Sequence, residues 1–450
     1  MSACTSNPLP PSDEYIEFTR ESCKLISQTL GFTPNVPSID TFLLNLSRTS
    51  FEKIGKQHGL NFPLRFPTFT AEVNFLATLA LLNGFSGYRT EFHQATGMGA
   101  YQNIVRLMMG LYISGSDAQD KMVGVKSLTA KGMSEITETR IVELLGVSVH
   151  EEKPHETLVG VTVGTRGGPM LNVVQLIVTT LNNVGKTLLS KKFESLGSYV
   201  VSLLQQVKTK EQLKNDDVKA TDFLVKCIAE TFAEFRDTHI FTQPNKDNPD
   251  STINVHQVYL FKRIFFLLHS LYLRFGTNED WKLPNTYKTL PMFVDNVLPT
   301  LCVWFNLINV PKIDTFSDKK RMIMMKNLID WMQTQHCNSN LTRENLANLQ
   351  NNISGPILTK DETYAIRASC LHVGQVMVER AKFLAEQSNF NTITPLQSHH
   401  NHKDGGVQQF NLEWLLDFNE VDLDGYLWAL AKHDQDLRKI PRFVFPCIHF

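Results

Sequence analysis

The sequence predicts an all-α, mostly helical fold, and three observations carry that expectation. Apolar residues recur at helical spacing in stretch after stretch along the chain. The few strand-like runs, residues 158–163 and 443–445, do not alternate with helices, which argues against a doubly wound α/β sheet. Finally, 450 residues with 42% hydrophobic and 20% charged content can bury a large core, and this is not the composition of a disordered, coiled-coil or collagen-like chain.

In chain order, residues 13–30 place Ile16, Phe18, Cys23, Leu25 and Ile26 on one stripe, opened by the acidic residues Asp13 and Glu14. The same period returns over residues 71–82, 101–112, 169–189, 217–235, 256–275, 290–306, 318–333, 361–386 and 422–432. Three segments read as loops or insertions: residues 150–168 with mixed charge and glycines, the Asn/Asp/Pro-rich 242–252, and the polar 387–406. No internal repeat is visible. The expected organisation is an N-terminal helical layer over residues 1–60 on a helical body spanning 61–450, the two continuous or divided into lobes.

Lys and Arg number 44 against 45 Asp and Glu, a net charge of -1. That balance argues against a bulk polyanion partner such as intact nucleic acid, while a small anion needs only a few placed cations. The N-terminal residues are polar and carry no signal-like apolar run, and residues 258–275 are interrupted by Lys262, Arg263, His269 and Arg274, so no membrane span is expected. Seven widely spaced cysteines without Cys-x-x-Cys suit reduced thiols in a cytoplasmic or nuclear protein.

Two motif-like runs have plain explanations. Val184, Gly185, Lys186 and Thr187 end like a phosphate-binding loop, but Thr180 stands where that motif needs glycine, and the run lies in a helical pattern. His399, His400 and His402 cluster without a second ligand group and read as a solvated loop, so no metal is expected.

The informative residues are charges where the pattern calls for apolar groups. Lys262 shares a helical face with Val258, Tyr259, Phe265 and Phe266, where an ammonium needs a carboxylate or phosphate, or else a snorkelling route to solvent. Asp295 follows Pro291 and shares its face with Met292 and Leu298. If Pro291 opens a helix, Asp295 is interior to it and needs a partner, for which Lys262 is the candidate. Arg236, Asp237 and Arg367 are further charges among apolar residues, and Tyr426, Trp428, His433 and Arg442 mix aromatic and polar groups near the C-terminus.

These positions carry a family resemblance. Leu260, Phe261, Lys262 and Arg263 match a Phe-Tyr-Lys-Arg pattern, and the run from Met292 to Val297 is similar to Met-Phe-Ala-Asp-Tyr-Arg. Leu181 to Leu189 resembles a Leu-Asn-x-x-Gly-Lys-x-Leu-Leu helix, Phe235, Arg236 and Asp237 a Tyr-Arg-Asp, and Ile366 and Arg367 an Ile-Arg helix. The run from Leu423 to Trp428 matches Leu-Asp-x-Tyr-Leu-Trp, and the chain ends in a similar Cys-Ile-aromatic run. In this order, over residues 72–450, the chain resembles the queuosine salvage protein family, N-glycosylases that release the base queuine from queuosine 5'-phosphate. It departs from the family in its early aromatic block, here residues 82–88, in Ala365, and in an apparent insertion over 148–166.

The resemblance implies a compact helical fold like that of helical DNA glycosylases, no cofactor, and a small nucleotide as substrate. It implies Asp295 and Lys262 as catalytic groups, with Asp295 stabilising an oxocarbenium-like sugar and Lys262 orienting it. Arg236, Arg263 and Arg367 are the expected phosphate partners, with Asp237 beside them, and Phe85, Tyr88, Tyr426 and Trp428 the expected walls for a planar base. Hydrolysis of another nucleoside or nucleotide, or binding of a modified nucleotide without turnover, are the alternatives. Oligomeric state is not legible.

Overall fold

A computed structural model describes residues 8–55, 60, 62–114, 126–244, 252–278, 280–311, 325–337, 355–389 and 412–449. The protein is mostly helical, as its periodicity predicts. The helices are α1 Tyr15–Thr29, α2 Val36–Leu44, α3 Arg48–Gly55, α4 Phe69–Leu82, α5 Arg89–Thr96, α6 Ala100–Ser114, α7 Ala130–Glu135, α8 Glu138–Leu145 and α9 Pro169–Ser190. They continue as α10 Leu196–Thr209, α11 Glu211–Lys214, α12 Asp217–Thr231, α13 Lys262–Phe275, α14 Thr286–Thr289, α15 Val297–Trp304, α16 Lys326–Cys337, α17 Lys360–Asn389 and α18 Glu420–His433. Among the described residues six short strands form three antiparallel pairs: β1 Thr33–Pro34 with β6 Ile308–Asn309, β2 His150–Pro154 with β3 Thr162–Arg166, and β4 Thr238–Pro244 with β5 Thr252–Tyr259.

Two apolar clusters fill the interior. One gathers α4, α9, α10, α12 and most of α13; the other gathers the inner faces of α2, α15, α17 and α18. The N-terminal helices are bound into the second half of the chain, since α1 lies on α17 and β5, α2 on α17, and α3 on α18. The clusters meet along residues 293–294, where Phe293 belongs to the first and the adjacent Val294 to the second. Asp295 follows at that seam.

Several expected elements differ. The expected helix over 256–275 begins only at Lys262, because residues 256–259 belong to β5 and Phe261 adopts the left-handed conformation, φ 48°, between strand and helix. The expected helix over 290–306 begins at Val297, with Pro299 in its first turn rather than Pro291, so Asp295 precedes the helix instead of lying inside it. Residues 150–168 contain the β2–β3 hairpin. Both of its strands are exposed almost throughout, so no buried face imposed a period on the sequence. Gly185 lies within α9 against α7, where a side chain would collide with the backbone of Ser134 and Ala130. It serves helix packing rather than a phosphate loop. The histidines at 399, 400 and 402 lie outside the described residues.

One buried ion pair fixes the segment that leads to Asp295. Arg367 on α17 grips Asp237 through two hydrogen bonds of 2.9 and 2.6 Å, Tyr364 adds a third of 3.0 Å, and the Arg367 Nε donates to the Val294 carbonyl at 3.0 Å. Both charged side chains are fully buried. Burial pushes the Asp237 carboxyl up, but Arg367 and its hydrogen bonds outweigh burial and bring the group down to about 2. A folded value below the unfolded one (about 3.9) gives a contribution present above pH 4 and lost as pH falls through the folded value. Asp237→Asn is therefore expected to destabilise the protein by about 3–5 kcal/mol at pH 7, through an unmatched buried guanidinium. Urea unfolding should show that gap narrowing as the pH is lowered from 5 to 3.

Candidate active site

Local structure explains why Lys262 and Asp295 are where they are. Lys262 is the first residue of α13, directly after the left-handed Phe261. A cation at a helix N-terminus is opposed by the helix dipole, and this one is only 5% exposed. Its Nζ donates to the Asn83 carbonyl at 3.2 Å. Burial pulls the ammonium below the usual lysine range, and the nearby Asp295 charge is the largest influence pulling it back up. Asp295, equally buried, turns Oδ1 onto the Val297 amide at 2.7 Å, at the positive end of α15. Its Oδ2 makes no hydrogen bond among the described residues.

Asp295 lines two adjoining cavities. The first holds Lys262, Asp424 and His269 with the aromatic rings of Tyr101, Phe266, Phe293 and Trp428. It encloses about 70 Å³ and the adjoining cavity about 230 Å³, so only the two together approach the roughly 300–1,000 Å³ usual for small-molecule sites. Asp424, on α18, accepts from the Phe293 amide at 2.6 Å through Oδ2. Burial foremost, then the Asp295 charge, pushes its carboxyl up to about 8, so at neutral pH it is a protonated donor.

The second cavity has the opposite character. Arg89, His93, Lys432, Arg438 and Arg442 line it, and Asp295 is the one carboxylate among its lining residues. Ser86, Tyr101 and Trp428 are shared with the first cavity. The loop that carries Ser86 depends on the C-terminal segment: a side chain at Gly84 or Gly87 would collide with the Ile448 or Phe445 carbonyl. Asn296 donates to the Phe443 carbonyl at 3.1 Å from the other side.

Of the residues singled out in the sequence, Lys262, Asp295, Trp428 and Arg442 line the cavities. The other expected catalytic and substrate-binding residues do not. Phe85 and Tyr88 are core residues beside Ser86, and Tyr426 packs on the Phe51 ring. Arg236 donates to the carbonyls of Ala229 and Glu230 at the end of α12. Arg263 is fully buried and spends its guanidinium on the Leu81 and Glu234 carbonyls and on His449, whose imidazole is pushed down to about 3 by burial and by Arg263. Arg367 and Asp237 neutralise one another. The three arginines expected to meet phosphate are thus occupied elsewhere, because each is needed to satisfy buried carbonyls or a buried carboxylate.

The residues that sequence reasoning missed had a signal. Asp424 and Lys432 lie four residues either side of the expected Trp428 on α18, and Arg89 and His93 are spaced by four on α5, so each set shares one helix face. Together they turn a polar stripe toward a site that the apolar period alone does not reveal.

Fold and site define a mostly helical protein with a buried carboxylate between an aromatic cavity, which also holds the buried Lys262, and a cationic one. The chain matches no protein-family model and no curated protein. Among the described residues no helix is long and apolar enough to cross a membrane, and no group of His, Cys, Asp and Glu is arranged to hold a metal ion.

The raised Asp424 carboxyl has a measurable consequence. Its folded value lies above the unfolded one, so the folded protein binds the extra proton between about pH 4 and 8, and stability falls as pH rises through that window. Asp424→Asn keeps an acceptor for the Phe293 amide and cannot ionise. Its urea midpoint should decline less between pH 5 and 8 than that of the wild type, and parallel profiles would contradict the assignment.

Proposed function

We propose that the protein hydrolyses the N-glycosidic bond of a nucleotide. Queuosine 5'-phosphate, the substrate implied by the sequence resemblance, would yield queuine and ribose 5-phosphate. The observation that supports this reading is the position of Asp295, a buried carboxylate between a cavity walled by aromatic rings and one lined by cations. A nucleotide has the same order: planar base, ribose carbon, anionic phosphate.

Breaking the bond between the base nitrogen and the ribose carbon leaves the sugar oxocarbenium-like. A carboxylate held beside it in a low-dielectric site stabilises that charge where it develops. Asp295 supplies this group, and its Oδ2 accepts the proton of the attacking water as the oxygen bonds to the sugar. Lys262 orients the carboxylate from the α13 terminus. The base departs with the electron pair of the broken bond and takes up a proton from solvent, while Asp295 returns the water's proton to solvent. Asp424, as a neutral carboxyl in the same cavity, donates a hydrogen bond to the departing ring, which matters for a 7-deazapurine with no ring N7 to protonate. Trp428, Tyr101, Phe266 and Phe293 offer faces and edges to the base.

The test is incubation with queuosine 5'-phosphate and a panel of ordinary nucleoside monophosphates, with free base followed by mass spectrometry. Release of queuine is expected, and Asp295→Asn should lower turnover by on the order of 10²-fold or more while circular dichroism shows the helical fold retained. Absence of base release from every nucleotide would overturn the reading, and near-normal release by the variant would remove Asp295 from its role.

A further inference from the structure

We propose that the β2–β3 hairpin is a self-association surface. Strand β3 pairs antiparallel with β3 of a second copy of the chain, about a two-fold axis at Gly164. The pairing is independent of the chemistry at Asp295.

Backbone geometry shows which groups are free. The His155 amide donates to the Val161 carbonyl at 2.8 Å, and the Gly167 amide to that of Val149 at 2.9 Å. In the register between them, Glu151 faces Thr165 and Lys153 faces Val163. Hydrogen-bonded pairs alternate along an antiparallel ladder, so Val163 and Thr165 turn their amides and carbonyls to β2. Thr162, Gly164 and Arg166 turn theirs outward, where they meet no backbone partner among the described residues. All five residues of β3 are exposed. An open strand edge is a template for another strand, and proteins that keep such an edge free guard it with charge or proline.

Charge decides between the two edges of the hairpin. The outward residues of β2 are His150, Glu152 and Pro154. A two-fold pairing about Glu152 would set carboxylate against carboxylate, and Pro154 has no amide to give. That edge is guarded. Pairing about Gly164 instead sets Thr162 of one copy opposite Arg166 of the other and Val163 opposite Thr165, so no like charges face each other. The Arg166 guanidinium is already held by Glu138 of α8 at 2.6 Å.

Gly164 has no packing task within the chain. A β-carbon built there meets nothing within 4 Å, and the residue does not adopt a positive φ. Glycine inside a strand weakens it and marks a bulge, a bend or the close approach of another backbone. The two-fold contact supplies that approach. Apolar surface lies in the same place, since Leu158, Val159 and Val161 at the tip and Val163 on β3 are all exposed. The antiparallel register carries each tip to residues 167–168 at the base of the other hairpin, so these groups leave water as the hairpins join. The contact is small, and the dimer is expected to be weak.

The test is sedimentation equilibrium of the full chain across roughly 1–100 μM, where a reversible monomer–dimer equilibrium is expected. Gly164→Pro removes both central hydrogen bonds of the contact and none within the hairpin, and should weaken association about ten- to a hundred-fold. Gly164→Lys sets two ammoniums opposite each other across the axis while each faces Glu152 in its own hairpin. It should weaken association several-fold, less so at high salt. Gly164→Cys reads the register, because the two thiols then lie within disulfide reach across the axis. Diamide should trap a dimer that dithiothreitol reverses and that the wild type, with its own seven cysteines, does not form. A monomer throughout the concentration range overturns the proposal and leaves the edge to a different occupant. A dimer left intact by both Gly164→Pro and Gly164→Lys also overturns it, and trapping no greater than in the wild type removes the register.

Discussion

A lysine ammonium and an aspartate carboxylate withdrawn together from water are the constraint around which this molecule is arranged. Each charge alone in an interior of low dielectric is severely unfavourable, and each is set at a helix N-terminus, where the backbone dipole favours the carboxylate and opposes the ammonium. Lys262 is therefore the more demanding partner. It is tolerated because the Asn83 carbonyl accepts from it and because Asp295 is near enough to support its charge. The segment that delivers Asp295 cannot drift, since Arg367 holds the preceding Val294 carbonyl while its remaining donors are committed to Asp237. A buried ion pair with no contact to either cavity thus sets the position of the one carboxylate that both cavities share.

The site draws on distant parts of the chain. Residues of the loop after α4, the start of α13, the segment before α15, and α18 all contribute to it, and they are far apart in sequence. What brings them together is the close backbone approach of the C-terminal segment to Gly84 and Gly87, reinforced by the Arg263 to His449 hydrogen bond. Two left-handed non-glycine residues, Phe85 and Phe261, flank the site, one in each of the connections that carry Ser86 and Lys262. Such conformations cost free energy and persist only where surrounding packing fixes them; both phenyl rings are almost fully buried.

Helix content was legible because most helices bury one face, and burial writes a period into sequence. The helices over residues 13–30, 71–82, 101–112 and 169–189 correspond closely to α1, α4, α6 and α9. The boundaries at Lys262 and Val297 were not legible, because residues 258–261 and 290–294 are buried apolar runs continuous with the helices they precede. Burial on all sides gives composition without period. Lys262 and Asp295 stood out since a charge among apolar neighbours conflicts with its surroundings. The same criterion also selected Arg263, Arg367 and Asp237, whose charges are resolved by buried carbonyls and by each other. Pattern alone cannot tell a charge that meets a ligand from one that meets a backbone oxygen. Only the hydrogen-bond inventory separates them.

That inventory also explains why most of the cationic residues were overlooked. Arg89, Lys432 and Arg438 sit in polar or mixed sequence, where a basic residue causes no surprise, and Arg442 stood out only as one polar group among several near the C-terminus. Their distinction is collective: four basic side chains converge on one cavity without acquiring carboxylate partners among the described residues, in a protein whose acids and bases are nearly equal in number. The other side of Asp295 has its own imbalance, a carboxyl at Asp424 forced neutral by burial and by the Asp295 charge. Across the width of one side chain the environment passes from cationic to neutral and aromatic. A ligand that satisfied only one half would leave the other's cost in place, so the arrangement favours a molecule carrying an anionic group at one end and a planar ring at the other, joined at the point where Asp295 stands.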